Sequence, residues 1–387
     1  MAELVPLSTV RLDPALGILR DCPRPPAMRN ATFAERYDWD TLFYDVYRVG
    51  PHVVFQGPPF FSFLDRLKEG EPFRRAFGFP AFRARHYGME KRGEIWLRSD
   101  ADRFSLDGPL GLHEIAVQPS GVDIFAGRRV LLTISKDNRP EWIEDWVRFH
   151  RAHHGADGLL FYDNGSTAYT AAELQGRLTA AFPDMTIVVV DWRFPFGPSG
   201  GKAGAVNGVE APWDSDFCQP GKTQHARWRF LQKAKSVLNA DVDELVIANG
   251  SRTVFEAAER DGFVKFTGHW IVNAADGEAP FRHADFTRRR ASDPEICPPK
   301  WAVAPGTFGR KCTWSVHNIF GTRANAAVSD EFTYRHFKGI STSWKYDRSE
   351  PAPDAASLET DTALVAAMKT AGLAPSAALE TRASVVS

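Results

Sequence analysis

The chain has 387 residues, 43% of them hydrophobic and 25% charged. It can therefore hold an ordinary packed core in two or three domains, or in one large α/β domain with an appendage. Its formal net charge of −1 argues against nucleic-acid binding driven by bulk charge. The four cysteines are widely spaced and form no C-x-x-C pair, so neither a zinc site nor a disulfide framework is indicated.

The N-terminus and the apolar runs of the chain indicate no signal peptide and no membrane span. The N-terminus lacks a basic start followed by an apolar stretch. No run approaches the roughly 20 apolar residues that a membrane span requires. We therefore expect a soluble, cytoplasmic protein with reduced thiols, for which peripheral contact with a membrane stays open.

Residues 1–127 predict a small β-rich domain. The stretches VYRVGPHVVFQ (46–56) and GEIWLRSD (93–100) predict strands, because β-branched and aromatic residues are bounded there by Gly, Pro and Asp. Apolar alternation on both sides of Pro119-Ser120-Gly121 predicts a hairpin over residues 113–125. We expect these strands to form an antiparallel unit.

From about residue 128 the sequence alternates between strand and helix patterns. Pro140 suits the first turn of a helix that Gly155 would end. Short apolar strands separated by helices favour a mainly parallel sheet with flanking helices, an α/β fold that binds ligands beyond the carboxyl ends of its strands. The elements in question are strands at 128–135, 158–164 and 186–192 and helices at 141–155 and 170–182.

The segment from Phe196 to Gly221 is rich in Gly, Pro and Asn and predicts a long loop beside the ligand site. A helix is predicted over 222–237. This α/β domain is predicted to span 128–348. The remaining residues, 349–387, form an Ala-rich tail that predicts one short helix or no regular structure.

The stretch LNADVDELV (238–246) places three carboxylates beside an apolar strand pattern. Burying an ionised carboxylate without a partner is costly, so a cation is expected there. If the segment is extended, Asp241 and Asp243 point to one side and Glu244 to the other. Such oxygen ligands suit Mg²⁺ or Mn²⁺ bound together with substrate phosphates. The alternative is a helix cap with a surface ion pair.

Three other aspartate pairs share the same spacing, so context has to separate them. Asp214 and Asp216 lie in the long loop, where we expect them to be solvated. Only Asp241 and Asp243 follow a predicted helix and adjoin a predicted strand. The two remaining pairs lie in the β-rich region: Asp38 with Asp40, and Asp100 with Asp102.

The stretch KDNRPEWIEDWVRFHRAHHGADGLLFYDNGS (136–166) resembles the opening of glycosyltransferase family 92 and its bacterial relatives of the GT-A fold. The resemblance covers about residues 128–348. It departs at Asp137-Asn138, where the family has Asn-Glu, and at Phe337, where the family has Tyr. The matching positions are Lys136, Glu141-Trp142-Ile143, His150, Gly155, Tyr162 to Ser166, Gln224, Arg227, Trp228, Asp241 to Glu244, Lys300, Pro305, His317-Asn318 and His336.

This resemblance implies a metal-dependent glycosyltransferase. It would move a sugar from a nucleotide-diphosphate donor, expected to be a UDP-sugar, to a glycan or other hydroxyl acceptor with inversion. The implied donor contacts are Ser135, Asn138, Asp163, Asn164, Asp241 and Lys338. The implied ligands of Mn²⁺ or Mg²⁺ are Asp241, Asp243, His317 and His336.

Inversion by direct displacement needs a base near the acceptor hydroxyl. The segment HWIVNAADGEAPF (269–281) is the expected acceptor loop, and Asp276 and Glu278 are its candidate bases. Asp330 and Glu331 are the rival pair.

Two other functions stay open. One is a D-x-D phosphohydrolase of the haloacid dehalogenase type. That motif requires Thr or Val two residues after its second Asp, but this position is Leu245 here, which disfavours it. A non-catalytic carbohydrate-binding protein would use the aromatic-rich β domain, but loss of the Asp241 and Asp243 carboxylates would have favoured it, and they are present.

Overall fold

The computed structural model describes residues 4–78, 83–89, 91–275, 280–292, 295–344 and 353–376. Its dominant element is a large sheet flanked by helices, so the fold is α/β. None of the helices in this part of the chain combines the length and the apolar character that crossing a membrane requires.

The N-terminal region forms a separate sheet. Strands β3, β4, β6 and β5, in that order, pair in antiparallel fashion. The elements are β1 (Val10–Arg11), α1 (Phe33–Arg36), β2 (Thr41–Phe43), β3 (Asp45–Val49), β4 (His52–Gly57), α2 (Phe63–Glu69), α3 (Phe73–Phe77), β5 (Ala84–Tyr87), β6 (Gly93–Arg98), β7 (Arg103–Gly108) and β8 (Gly111–Ala116). The strands predicted at 46–56 and 93–100 correspond to β3, β4 and β6.

The hairpin predicted over 113–125 is wrong. Strand β8 pairs with β7 across a tight turn at Gly108–Gly111, where Gly111 has a positive φ of 96°. Residues 122–127 form turns instead of a return strand. Gly121 donates its backbone N–H to the carbonyl of Arg229 at 2.9 Å, so this stretch is held by the second half of the chain.

The second half is built on an eight-stranded sheet with the order β11-β10-β9-β14-β18-β16-β21-β15. Strands β11, β10, β9 and β14 are parallel neighbours, whereas β18 and β15 run in the opposite direction to the rest. The elements are β9 (Arg129–Ser135), α4 (Pro140–His154), β10 (Gly158–Asp163), α5 (Ala171–Ala181), β11 (Thr186–Asp191), β12 (Gly201–Val206), β13 (Val209–Ala211), α6 (Cys218–His225), β14 (Ser236–Asn239), β15 (Glu244–Ala248), α7 (Val254–Asp261), β16 (Phe263–Ile271), β17 (Arg288–Arg290), β18 (Ile296–Val303), β19 (Thr313–Trp314), β20 (Ile319–Phe320), β21 (Phe332–Phe337), β22 (Leu358–Thr360) and α8 (Thr362–Thr370).

Helices α4 and α5 lie where the sequence predicts helices. Helix α4 has Pro140 in its first turn and ends where Gly155 adopts the left-handed conformation. Helix α5 begins at a capping box in which Thr170 and Glu173 satisfy each other's backbone N–H groups. The apolar face of α4, including Ile143 and Trp146, packs into the main core under the sheet.

The segment after β11 differs from the prediction. The predicted loop contains the β12–β13 hairpin, and α6 begins in it at Cys218. The helix continues as a π-helical turn, Ala226–Phe230, and stops well before residue 237. The reason is that Ser236–Asn239 is fully buried as β14 between β9 and β18, where the sheet requires a strand.

A buried polar network joins the N-terminal region to the large sheet. Arg229 Nη1 lies 2.7 Å from Asp45 Oδ2, and His225 Nε2 lies 2.9 Å from the same oxygen. Tyr162 donates its hydroxyl to His225 Nδ1 at 2.8 Å. Burial would raise the pKa of Asp45, but Arg229 and His225 outweigh it and lower that pKa. This network fixes β3 against the sheet; the domain boundaries at 127 and 348 stay predictions.

The C-terminal tail supplies one helix to the core. Asp361 caps α8 by accepting the N–H of Leu364 at 2.9 Å, and its carboxylate lies 2.7 Å from Arg335 Nε. Leu364 and Met368 belong to the main hydrophobic cluster. This is the short helix that the tail predicts; residues 377–387 lie outside the described part of the chain.

Candidate functional site

A cleft of about 480 Å³ lies at the edge of the sheet where the parallel strands end. Asn138 follows β9, and Asp241 and Asp243 follow β14; all three line the cleft. The segment between β11 and β14 contributes further wall, and Lys91 of the N-terminal region contributes one side chain. The long segment therefore borders the ligand-sized space, as its composition predicts.

Three potential metal ligands meet on the cleft floor: Asp243, Glu244 and His336. Their ligating atoms all lie within 4.8 Å of one another. His336 Nε2 is 3.1 Å from Asp243 Oδ2, and its Nδ1 is 3.9 Å from Glu244 Oε1. The pairing of β15 with β21 sets Glu244 directly opposite His336. The buried Nδ1 has no hydrogen-bond partner among the described residues.

The imidazole of His336 is held by an aromatic neighbour. The ring of Trp270 stacks on it with centroids 3.8 Å apart and an interplanar angle of 17°. Trp270 and His336 are partners in the parallel β16–β21 pair, so the sheet register itself sets the stack. The ring is therefore fixed before any ligand arrives.

Lys300 is the cation on the other side of the carboxylates. Its ammonium lies 2.8 Å from Asp241 Oδ2 and 3.0 Å from Glu244 Oε2, with 2% of the side chain exposed. Burial alone would lower the pKa of Lys300, but the two carboxylates raise it, so the side chain stays charged. Burial raises the pKa of Glu244, and Lys300 opposes that rise. With the three carboxylates ionised, one divalent cation would balance the remaining charge.

The predicted donor contacts near β9 and β10 divide into one cleft residue and three supporting ones. Asn138 lines the cleft, and its amide donates to Ser135 Oγ at 2.7 Å. The buried carboxylate of Asp163 accepts from the side chain and backbone of Ser166, and burial raises its pKa. Ser135, Asp163 and Asn164 are not among the residues that line the cleft.

The side chain of Asn164 is hydrogen-bonded to the segment that follows β11. Its amide donates to the carbonyls of Trp192 at 2.7 Å and Phe194 at 2.9 Å. It thus holds the chain that leaves β11 rather than presenting an amide to the cleft.

The later predicted residues are also spread out. His317 lines the cleft, with Nδ1 2.9 Å from the carbonyl of Pro299, but it is not part of the three-residue group. Lys338 lines a small neighbouring recess, 3.5 Å from Glu295 Oε2 and 5.4 Å from the ring centre of Trp270.

The candidate bases Asp276 and Glu278, on the predicted acceptor loop, lie outside the described residues. The rival Glu331 forms an ion pair at 2.5 Å with Arg252, and neither it nor Asp330 lines the cleft.

Two expectations about carboxylates are wrong. Glu244 does not point away from Asp243, because residues 242–243 form a turn rather than an extended segment. Asp214 and Asp216 are half-buried and ion-paired rather than freely solvated. Asp214 pairs with the buried Arg24 at 2.8 Å, and Asp216 pairs with Lys91 in the cleft wall.

Sequence reasoning gave Lys91 no role, because no local pattern signals a contact between positions so far apart in the chain. Lys300 stood within the resemblance but without a role. Glu244 had one usable signal, since a third carboxylate directly after Asp243 is unusual before an apolar strand.

No protein-family model matches the chain, and no curated protein sequence matches it. A solved structure of WbbM, described as a bifunctional glycosyltransferase in its apo form, aligns with 41% of this chain and 27% of that chain. The sequence identity is 11% and the TM-score is 0.25. An alignment at that level carries no argument about fold or function.

Proposed function

We propose that this chain is a metal-dependent glycosyltransferase of the GT-A type. It transfers a hexose from a UDP-sugar to a hydroxyl group of a glycan, with inversion, in cytoplasmic polysaccharide biosynthesis. The observation that carries the proposal is the group formed by Asp243, Glu244 and His336, because it lies in a ligand-sized cleft at the carboxyl edge of the parallel strands.

The residues of this group fit a divalent cation. Two carboxylates and one imidazole suit Mn²⁺, and with substrate phosphates they suit Mg²⁺. The unpartnered Nδ1 of His336, 3.9 Å from Glu244 Oε1, is a polar atom that a ligand would satisfy. When bound, the cation would supply Lewis-acid stabilisation of the charge that develops on the leaving diphosphate.

The protein's own groups would position the donor. Lys300 Nζ lies 2.8 Å from Asp241 Oδ2, and this contact fixes the orientation of the Asp241 carboxylate. Trp270 fixes His336, and Asn138 is fixed by Ser135. Such pre-set groups lower the reorganisation needed in the transition state. In this proposal Asp241 contacts the ribose and Asn138 the nucleoside.

The test is isothermal titration of UDP-hexoses in the presence of Mn²⁺. Asp243→Asn keeps the side-chain size and removes one charge, so donor binding should fall by at least tenfold. The apo protein should keep its fold, because a carboxylate has been removed from a repelling group. Asp184→Asn is the matched control, since that carboxylate is 78% exposed in a surface pair, and it should bind like the parent.

Equal donor affinity for Asp243→Asn and the parent, with no change in chelator, would overturn the metal site. A non-catalytic sugar-binding protein would bind the donor but release no UDP on prolonged incubation. A phosphohydrolase would instead release inorganic phosphate from an added phosphomonoester such as p-nitrophenyl phosphate. Measuring UDP and phosphate in the same reaction separates the three functions.

A further inference from the structure

The cleft has a second polar group that the metal and donor proposal leaves unused. It is the ion pair between Lys91, from the loop before β6, and Asp216, from the segment before α6. Asp216 has 13% of its side chain exposed and Lys91 has 25%, so both face the cleft from a largely buried position. The N-terminal region thus reaches into the site at this point.

Asp216 differs from the other carboxylates that line the cleft. Asp241 and Glu244 are bound to Lys300, and Asp243 is bound to His336. Asp216 is outside that group, and its only ion pair among the described residues is with Lys91.

The charges around Asp216 keep it able to take up a proton. Burial raises its pKa, Lys91 lowers it, and Asp214 raises it. Arg24, which is fully buried, pairs with Asp214 rather than with Asp216. The net effect raises the pKa of Asp216, with burial as the largest cause, so this carboxylate is more basic than an exposed one.

Aromatic side chains line the same cleft as this carboxylate. Trp213 is 57% exposed and lines the cleft. Its indole packs directly on Gly200 and Gly201, where a Cβ built on either glycine would lie within 3.0 Å of the ring. Phe196 and Trp344 form a further edge-to-face pair in the wall, with centroids 4.6 Å apart. Flat apolar faces beside a carboxylate are suited to a sugar ring that presents a hydroxyl.

We propose that Asp216 is the base that accepts the proton of the acceptor's hydroxyl, and that Trp213 seats the acceptor sugar. This inference rests on the proposed glycosyltransferase function. The acceptor oxygen forms the new bond to the anomeric carbon while its proton passes to Asp216. The bond from that carbon to the diphosphate oxygen breaks, and its electron pair leaves with UDP. Lys91 is a positioning residue that sets the basicity of Asp216.

The experiment measures UDP release from UDP-hexoses with Mn²⁺, using p-nitrophenyl hexosides or water as the acceptor. Asp216→Asn should lower kcat by about 100-fold or more, the range expected for loss of a general base. Its Mn²⁺-dependent donor affinity should stay within about twofold of the parent. Glu210→Gln, an exposed carboxylate of the same segment, is the matched control and should keep the parent's kcat.

Lys91→Met distinguishes a role in setting the pKa of Asp216 from a purely structural role, through the pH profile of kcat/KM. Without the ammonium, the pKa of Asp216 rises, so the acid limb of the kcat/KM profile should shift to higher pH. An unshifted limb overturns the assignment, as does an Asp216→Asn protein that keeps parental kcat or loses donor binding together with kcat. A parent protein that binds donor but releases no UDP overturns it as well. Failure of Asp243→Asn to affect binding would reject the metal site alone.

Discussion

The ammonium of Lys300 lies 2.8 Å from Asp241 Oδ2, at the start of the stretch 241–244 that carries three carboxylates. The same ammonium is 3.0 Å from Glu244 Oε2. The protein therefore supplies part of the positive charge that the buried carboxylates require. A divalent cation would have to balance only the negative charge that Lys300 does not neutralise. Because Lys300 contacts Asp241, the expected role of Asp241 differs from that of Asp243.

Lys300→Met should destabilise the folded protein strongly. The substitution keeps a similar length but leaves the buried Glu244 without its ammonium partner, and breaking a buried pair in this way costs about 3–5 kcal/mol. Urea unfolding without metal measures the loss. Lys233→Met is the control, because its pair with Asp123 is 56% and 80% exposed, and its effect should stay below about 1 kcal/mol. A loss of similar size in both variants would contradict the prediction.

Glu244→Gln should weaken binding of Mn²⁺ itself. Glu244 lies in the three-residue group with Asp243 and His336, so we expect a loss of about tenfold or more in metal affinity. Titration with Mn²⁺ in the absence of nucleotide measures it. Glu256→Gln, at the exposed capping box of α7, is the matched control. Parental affinity in Glu244→Gln would show that this carboxylate serves Lys300 alone.

Much of the fold follows from local sequence signals. Pro140, Gly155 and the Thr170–Glu173 box set the helix limits, and apolar runs set β9, β10 and β11. The failures have a shared cause. The turn at 242–243 and the early end of α6 depend on how the central strands are ordered, which local patterns do not encode.

In the candidate site, too, local sequence predicts some residues and misses the contacts that depend on the tertiary fold. The sequence predicts Asp243 and His336 as metal ligands, and the structure places His336 Nε2 3.1 Å from Asp243 Oδ2; metal binding itself stays a prediction. The pairing of Lys91 with Asp216 joins positions 125 residues apart and depends on how the N-terminal sheet docks. Nothing in the composition of either segment indicates that contact.

Two buried histidines should make stability depend on pH. His150 donates Nδ1–H to the carbonyl of Trp146 and accepts the N–H of Val246 at Nε2. His154 donates Nε2–H to the carbonyl of Val246 and accepts the N–H of Val254 at Nδ1. Each ring is therefore held neutral, and burial lowers the pKa of His150 to about 3 and that of His154 to about 4.

Because both pKa values are lower in the folded state, the unfolded chain binds more protons below its own histidine pKa of about 6.5. Stability should therefore fall as pH drops from 6.5 towards 4, by about 1.4 kcal/mol per pH unit for each histidine. Urea unfolding at several pH values measures the slope. His154→Gln should reduce it by one such increment. An unaltered slope in His154→Gln would refute the assignment.

Asp45→Asn should weaken the packing of the N-terminal sheet against the rest of the protein. Asp45 Oδ2 receives two donors, Arg229 at 2.7 Å and His225 at 2.9 Å, while Oδ1 accepts the backbone N–H groups of Ser8 and Val46. Asparagine can keep the Oδ1 contacts, but its amide N–H groups would then face two other donors. Arg229, with 1% of its side chain exposed, would lose its counter-ion.

Removal of one partner from a buried pair of this kind costs about 3–5 kcal/mol. We therefore expect urea unfolding of Asp45→Asn to show that loss, together with earlier proteolysis in the N-terminal region. Asp102→Asn is the matched control, because that carboxylate is 90% exposed in its pair with Arg48, and its effect should be below about 1 kcal/mol. Since Lys91 reaches the cleft from the same N-terminal sheet, loosening this junction should also lower UDP release. Unchanged stability in Asp45→Asn would mean that apolar packing alone, such as Trp96 against Trp228 at 4.9 Å, holds the two parts together.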